Sequence, residues 1–257
     1  MSLISLSFAL LQTLLMINSS VEQCGQANEK QFFNGQLLLG DNEYPWIGIL
    51  REEDESKILC ITILITPRHV IMPAHCVTDH VHSITFANPL LGKGNNEVSY
   101  QLEEVAIHPD YALITDSDIA VGTLDRNVSD VQPICMPSKD EPQYFGYSLE
   151  MIGSAFERPH LRIKSQVHLG TPDFCSDLFQ GNHRFASNDI CGYLTKKFLA
   201  GSAVMAAHVS EGKPSSIKFY LIGIILYEVR LANRTDVTNL FLYVKHYRDW
   251  IMRNSIE

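Results

Sequence analysis

Three residues in separate parts of the chain have side-chain types that could act together in nucleophilic catalysis. They are His75, Asp118 and Ser202, and they occur in that order along the chain. A serine hydroxyl is a poor nucleophile near neutral pH until a base accepts its proton, and a carboxylate can orient that base. The three residue types therefore suffice for serine-based chemistry if the fold brings them together.

Each of these residues taken alone has a commoner structural interpretation. His75 lies beside Cys76, and such a histidine is more often part of the packing around a cysteine. Asp118 precedes an apolar run, where an aspartate is usually a turn residue, and Gly201-Ser202 is typical of a loop. The assignment therefore depends on the segments around them.

The pattern of the chain predicts mostly β-structure. Runs rich in β-branched residues, separated by proline, glycine and asparagine turn signals, predict strands at 58–65, 69–72, 83–86, 98–107, 119–124, 161–167 and 219–226. Only the tail has helical periodicity, carried by Val244, Tyr247, Trp250 and Ile251. Short strands at this spacing indicate a barrel or a sandwich.

Composition and the N-terminus indicate a secreted protein. The chain has 257 residues and a net charge of −9, which argues against nucleic acid or an anionic membrane as a partner. Residues 3–17 form an apolar run followed by small residues, which predicts a signal peptide over residues 1–20. A buried N-terminal helix is the alternative, and no second apolar run is long enough to span a membrane.

The six cysteines favour three disulfides, because their number is even and they follow a secretory signal. Fifteen pairings are possible for six cysteines, and the residues alone do not choose among them. None of them has the spacing of a zinc site, so we expect no metal and no cofactor. Asn127 and Asn233 lie in glycosylation sequons.

Several segments together resemble the trypsin-like serine proteases, in that family's order. They are Glu43-Tyr44-Pro45-Trp46, Ala74-His75-Cys76, His108-Pro109-Asp110-Tyr111, Asp118-Ile119-Ala120, Pro133-Ile134-Cys135-Met136-Pro137, Gly223-Ile224-Ile225 and Tyr247-Arg248-Asp249-Trp250-Ile251. The resemblance implies an all-β fold of two six-stranded antiparallel barrels with a C-terminal helix. The family domain would cover residues 32–257, after a short segment at 21–31 tethered by Cys24.

The resemblance also implies roles and cross-links. Ser202 would be the nucleophile, His75 the general base and Asp118 the residue that orients it. The implied disulfides are Cys24–Cys135, Cys60–Cys76 and Cys175–Cys191.

The segment around Ser202 departs from the family motif Gly-Asp-Ser-Gly-Gly-Pro, because it reads Ala200-Gly201-Ser202-Ala203-Val204-Met205. On this alignment Gly201 replaces the aspartate that pairs with a new N-terminus after zymogen cleavage. Ala200 replaces a glycine of the oxyanion loop. The activation site is missing too, since Gln31 stands where a basic residue is cleaved and Lys30 is one residue too early.

The specificity pocket departs as well. Counting back from Ser202 puts Lys196 at the pocket floor, with Glu228 and Asn239 where wall glycines are expected. Phe198 stands where one cysteine of the pocket disulfide would be.

These departures favour a secreted serine protease homologue without efficient proteolysis. It would bind a protease or a protease substrate in an extracellular cascade, as arthropod serine protease homologues do. The alternative is an active endopeptidase of non-tryptic specificity using His75, Asp118 and Ser202. A small-ligand or glycan-binding module is a third hypothesis, which no aromatic cluster supports.

Overall fold

The computed structural model describes most of the chain in segments. The described residues are 24–26, 37–40, 43–52, 57–79, 82–86, 98–112, 117–140, 142, 144, 148–179, 188–209, 217–230 and 237–256. The predicted signal peptide, Lys30, Gln31 and the sequon at Asn233 lie outside them. The other sequon asparagine, Asn127, is exposed.

Six strands form a closed first barrel in the order β1-β2-β3-β6-β5-β4. They are β1 (Ile47–Glu52), β2 (Ile58–Leu64), β3 (His69–Met72), β4 (His82–Phe86), β5 (Val98–Ile107) and β6 (Ala120–Leu124). All neighbours are antiparallel, and β1 closes the barrel by pairing with β4.

Six further strands form a second closed barrel in the order β10-β11-β12-β9-β8-β7. They are β7 (Ser148–Ala155), β8 (Arg158–Leu169), β9 (Asp189–Leu194), β10 (Ala203–Val209), β11 (Ile217–Arg230) and β12 (Val237–Tyr243). This barrel closes where β10 pairs with β7. The two-barrel fold predicted from the resemblance is confirmed.

Two α-helices and one short 3₁₀ turn (Ala74–Cys76) complete the described structure. Helix α1 (Pro172–Leu178) begins at Thr171, whose side chain accepts a hydrogen bond from Phe174 N, and proline suits its first turn. Helix α2 (Val244–Arg253) buries Val244, Tyr247 and Ile251 and matches the predicted C-terminal helix. No helix among these residues is long and apolar enough to cross a membrane.

Aromatic side chains pack where the two barrels meet. Tyr44 and Trp46, just before β1, are fully buried and contact Phe219 of β11. The rings of Tyr44 and Phe219 lie edge to face, with centroids 5.3 Å apart. The Tyr44 hydroxyl donates to Glu150 of β7 at 3.0 Å. These contacts fix one barrel against the other, and with them the two walls of the cleft between the barrels.

The structure contains three disulfides, and their pairing is the one implied by the resemblance. Cys24–Cys135 holds the N-terminal segment to the crossing, which is the segment between β6 and β7 that leads from the first barrel to the second. Cys60–Cys76 joins β2 to the turn that carries His75, and Cys175–Cys191 joins α1 to β9. No cysteine of the chain is left free.

Candidate active site

His75 and Asp118 are brought together in the first barrel. The His75 ring atom Nδ1 lies 2.6 Å from Asp118 Oδ2, and the backbone N–H of His75 donates to Oδ1 at 2.9 Å. Because an ionised carboxylate can only accept, Nδ1 carries the proton and Nε2 is the ring nitrogen left for another partner. The side chain of His75 is 37% exposed and that of Asp118 is 8% exposed. This is the arrangement of a general base and the residue that orients it.

Local backbone bonds position Asp118 in front of β6. Ser117 has a positive φ of 50°, and Ile119 N donates to its carbonyl at 2.7 Å. His108 N donates in turn to Ile119 O at 3.1 Å. Burial raises the pKa of the nearby Tyr111, and the negative charge of Asp118 raises it further. The Asp118 carboxylate is therefore held in a buried position, from which its charge raises the pKa of Tyr111.

Ser202 does not join this pair. It is fully buried, and its hydroxyl donates to the carbonyl of Leu199 at 2.7 Å. A Cβ on Gly153 of β7 would lie 1.9 Å from Ser202 Oγ, so the serine side chain occupies the space that this glycine leaves. His75 lines a cavity of about 410 Å³, and Ser202 is absent from the described residues of its wall.

Gly201 serves as a close contact between the barrels. Its φ is +85°, and a Cβ there would lie 1.9 Å from the carbonyl oxygen of Ile61 in β2. Its N–H donates to Ile225 O at 2.8 Å. The position has no room for a side chain, so an aspartate would not fit at Gly201 in this structure.

Ala200 belongs to the part of this loop that lines the His75 cavity. Its carbonyl accepts from Ile61 N at 2.8 Å, and the preceding residue Cys60 is bonded to Cys76, the neighbour of His75. Ala200 is partly exposed and lines the same cavity as His75. The side chain that position 200 can offer to this cavity is a methyl group.

The rest of the cavity wall is largely apolar. It is lined by Leu59, Cys60, His75, Cys76, Thr78, Phe156, Lys197, Phe198, Leu199, Ala200, Ile225, Leu226, Tyr227, Glu228 and Asn239. Phe156, in the turn between β7 and β8, is 57% exposed. The cavity thus combines an apolar interior with one exposed aromatic ring.

A single ion pair, between Lys197 and Glu228, lies within the described part of this wall. The Lys197 Nζ is 3.2 Å from Glu228 Oε2, and both side chains are partly exposed. Of the residues assigned to the specificity pocket, Glu228 and Asn239 line the cavity, whereas Lys196 is exposed and is not among the described lining residues. The cation on the described wall is the next residue, Lys197.

Phe198 and Leu199 hold the loop to the second barrel. Phe198 is buried and forms an isolated bridge with Ala155. Leu199 N donates to Ser154 O at 2.9 Å. The Lys197–Glu228 pair and the position of Ala200 were missed by the sequence prediction. The available signal for the position of the loop is Gly201, because a Cβ there would overlap the carbonyl of Ile61.

Cys60, His75 and Cys76 have possible metal-ligating atoms within 4.8 Å of one another. Both sulfurs belong to the Cys60–Cys76 disulfide, so neither is a thiolate. This group therefore does not make a metal site.

Comparisons with known proteins give the same fold and a family. The chain is 25% identical to Phenoloxidase-activating factor 3 of Holotrichia diomphalia, over 90% of this chain and 74% of that protein. It is 22% identical to CLIP domain-containing serine protease HP8 of Bombyx mori, over 89% of this chain and 70% of that protein.

The crystal structure of the Drosophila Grass clip serine protease of the Toll pathway superposes with a TM-score of 0.74 at 20% identity. The match covers 95% of this chain and 77% of that one, and at this identity it shows the fold alone. The family model described as Trypsin matches residues 40–251, which are most of the chain. The chain therefore belongs to the trypsin family.

Proposed function

We propose that this chain is a trypsin-family protein without peptidase activity, which binds a protease or a protease substrate in an extracellular cascade. The observation that carries the proposal is that Ala200 lines the His75 cavity, whereas Ser202 does not line it in the described wall and is buried and bonded to Leu199 O. On this proposal the family's serine aligns with Ala200, two residues before Ser202. In the family motif, Leu199 takes the place of the aspartate and Ala200 the place of the serine.

Without a hydroxyl beside His75 the base has no nucleophile to activate. A methyl group has neither a lone pair nor a proton to exchange, so no acyl-enzyme can form there. Loss of the nucleophile from such a triad costs on the order of 10⁶-fold in turnover. This is a larger defect than a misaimed oxyanion donor, which costs about 10²- to 10³-fold.

The retained His75–Asp118 pair is consistent with a structural role. Asp118 accepts from both the backbone and the ring of His75, so one buried carboxylate has two hydrogen-bond partners. A buried charge that loses such partners is costly. The pair can therefore persist for stability alone.

The cavity favours an apolar contact from a binding partner. Its wall includes Phe156, Phe198 and Leu226, and the carboxylate of Glu228 is neutralised by Lys197. A basic side chain would find no unpaired carboxylate on the described wall. We propose that a partner inserts an apolar side chain here, with Phe156 contributing contact area at the rim.

The extracellular setting rests on three features. The chain has the pattern of a signal peptide over residues 1–20 and three disulfides. It is similar to proteins named as a phenoloxidase-activating factor and as serine proteases with CLIP domains. We propose secretion, a domain covering residues 32–257, and a partner from such a cascade.

The test is labelling of the purified secreted protein with a fluorophosphonate probe, read beside hydrolysis of peptide esters. We expect neither in the wild-type protein or in Ser202→Ala. We expect Ala200→Ser to become labelled, because it puts a hydroxyl beside His75, and His75→Ala in that background to remove the label.

The alternative is an active endopeptidase, and the intact His75–Asp118 pair is the observation that favours it. It predicts labelling of the wild-type protein that Ser202→Ala abolishes. That result, with the fold of Ser202→Ala verified by circular dichroism, would overturn the proposal.

A further inference from the structure

A second cavity, of about 450 Å³, shares none of its described lining residues with the His75 cavity. It lies where the crossing between the barrels meets helix α2. Its wall includes Ile65 after β2, Pro133 and Met136 of the crossing, Lys218 of β11, and Arg248 of α2. It is therefore a site of its own, which the proposed function does not use.

Covalent and backbone bonds hold this cavity in shape. The Cys24–Cys135 disulfide forms part of its wall. Gly25 N donates to Pro133 O at 2.7 Å, and Cys135 N donates to Phe219 O at 3.2 Å. Arg248 Nε donates to Pro137 O at 2.8 Å, which ties α2 to the crossing. A cavity held in this way loses little conformational entropy when it is occupied.

The surface of the cavity is apolar and adaptable. Ile65 and Ile134 are buried, while Met136 and Met252 are partly exposed. Methionine side chains are unbranched and polarizable, so they adjust to side chains of different shape. Such a surface fits an apolar side chain from a peptide.

Two cations stand in this wall, and no acidic residue does among the residues described. Lys218 has no ion pair within the described segments. Arg248 Nη1 is 3.5 Å from Asp249 Oδ1, and the other oxygen of Asp249 accepts from Lys139 at 2.9 Å. Both cations therefore keep donors for an added carboxylate.

This local charge differs from that of the whole chain, which is −9. The net charge disfavours an acidic ligand in general, whereas the two cations of this apolar cavity favour one locally. We infer that this cavity binds an acidic peptide segment of a partner protein, in which an apolar side chain is flanked by Asp or Glu. The apolar side chain packs between Met136 and Met252, and the carboxylates pair with Lys218 and Arg248.

The test is fluorescence anisotropy of labelled synthetic peptides titrated with the full secreted chain at low ionic strength. The probes are Asp-Leu-Glu-Phe-Asp, the same peptide with lysine for each acid, and Asp-Ser-Glu-Ser-Asp. We expect the first to bind and the other two to bind at least about tenfold more weakly, since charge and apolar contact are both needed. Salt should weaken the binding.

Charge reversal locates the site. We expect Lys218→Glu and Arg248→Glu each to weaken binding about tenfold. Lys57→Glu, which makes the same charge change at an exposed pair with Glu52 in the first barrel, should leave it unchanged. Arg248→Gln serves if Arg248→Glu does not fold after losing its bond to Pro137 O.

The inference is overturned if no probe binds, if the lysine peptide binds equally well, or if the reversals act no more strongly than Lys57→Glu. Binding of phosphatidylserine vesicles, lost in the same variants while the acidic peptide does not bind, would assign the cavity to a membrane surface and also overturn it. The fluorophosphonate readout does not involve Lys218 or Arg248, so the two proposals can fail separately.

Discussion

The two barrels contribute different kinds of structure to the His75 cavity. On the first-barrel side, His75 and Asp118 keep a hydrogen bond of 2.6 Å and the geometry of a base with its orienting carboxylate. On the second-barrel side, the hydroxyl of Ser202 bonds a carbonyl within its own loop, and the loop lines the cavity with residues 197–200 instead. The first barrel has the hydrogen-bonded pair of a catalytic site, whereas in the second barrel the loop serine is part of the packing.

The difference shows that the two halves of such a site depend on different constraints. Asp118 is buried, so its partners are needed for stability whether or not chemistry occurs. A loop serine that faces a cavity has no such constraint, because its hydroxyl can be satisfied by water. Changes at Gly201, Asp118 and Ser202 can test this contrast, and a change at Glu150 tests the contact between the barrels.

Gly201→Asp should be the most damaging change, because it adds a side chain where the barrels touch. Its Cβ would lie 1.9 Å from Ile61 O at a φ of +85°. We expect a loss of about 3–5 kcal/mol in the free energy of unfolding, from overlap and backbone strain together. Denaturant unfolding measures it. Gly40→Asp is the control, since the nearest atom to a Cβ there is 4.0 Å away. A Gly201→Asp variant as stable as this control would contradict the placement of the loop.

Asp118→Asn tests whether the first-barrel pair stabilises the fold. The amide cannot accept at both positions where the carboxylate does, so the bonds from His75 N and Nδ1 cannot both be kept. We expect a loss of about 1.5–3 kcal/mol, as for a hydrogen bond to a charged group. The control is Asp110→Asn, at a 78% exposed side chain 4.0 Å from His108. Equal stability of the two variants in thermal unfolding would leave the pair without a structural role.

Ser202→Ala tests the second-barrel side. It removes one buried hydrogen bond, to Leu199 O, and we expect a loss of about 1 kcal/mol with no change in peptide ester hydrolysis. Ser165→Ala, which removes an exposed hydroxyl bonded to Thr195, should cost less. If peptide ester hydrolysis fell in Ser202→Ala but not in Ser165→Ala, Ser202 would take part in the reaction and the proposal would be contradicted.

Glu150→Gln tests the polar contact between the barrels through its pH dependence. Burial raises the pKa of Glu150 above its ordinary value of 4.5, although the hydrogen bond from Tyr44 and the charge of Lys164 oppose this. The folded state therefore holds the proton more tightly, and stability falls as pH rises from about 4.5 through the raised pKa. We expect wild type to lose stability relative to Glu150→Gln across that range.

Unfolding free energies measured against pH give the comparison for Glu150. Glu103→Gln, at an exposed pair with Arg68, should show no such trend. If wild type instead lost stability relative to Glu150→Gln as the pH fell, the pKa of Glu150 would be lowered in the folded state, which would contradict the burial argument.

Much of the fold was predictable from the residues and the family resemblance. The resemblance implied both barrels and the three disulfides, and helical periodicity predicted α2. Strands β1, β7, β9, β10 and β12 and helix α1 were not predicted. Strand β10, with the sequence AVMAAHV, has little β-branched character, and neighbouring strands make it extended.

The site divides in the same way. The residue types at His75 and Asp118 and their surrounding motifs were enough to pair them, because each motif is anchored by a strand or a disulfide. Only the tertiary structure shows which residues of the loop at 199–202 line the cavity. Gly201 must lie against Ile61 O, and that contact places Ala200 in the cavity and Ser202 beneath it. A contact between two barrels leaves no periodic signal along the chain, and for this reason the letters Gly-Ser alone could not show which residue faces the histidine.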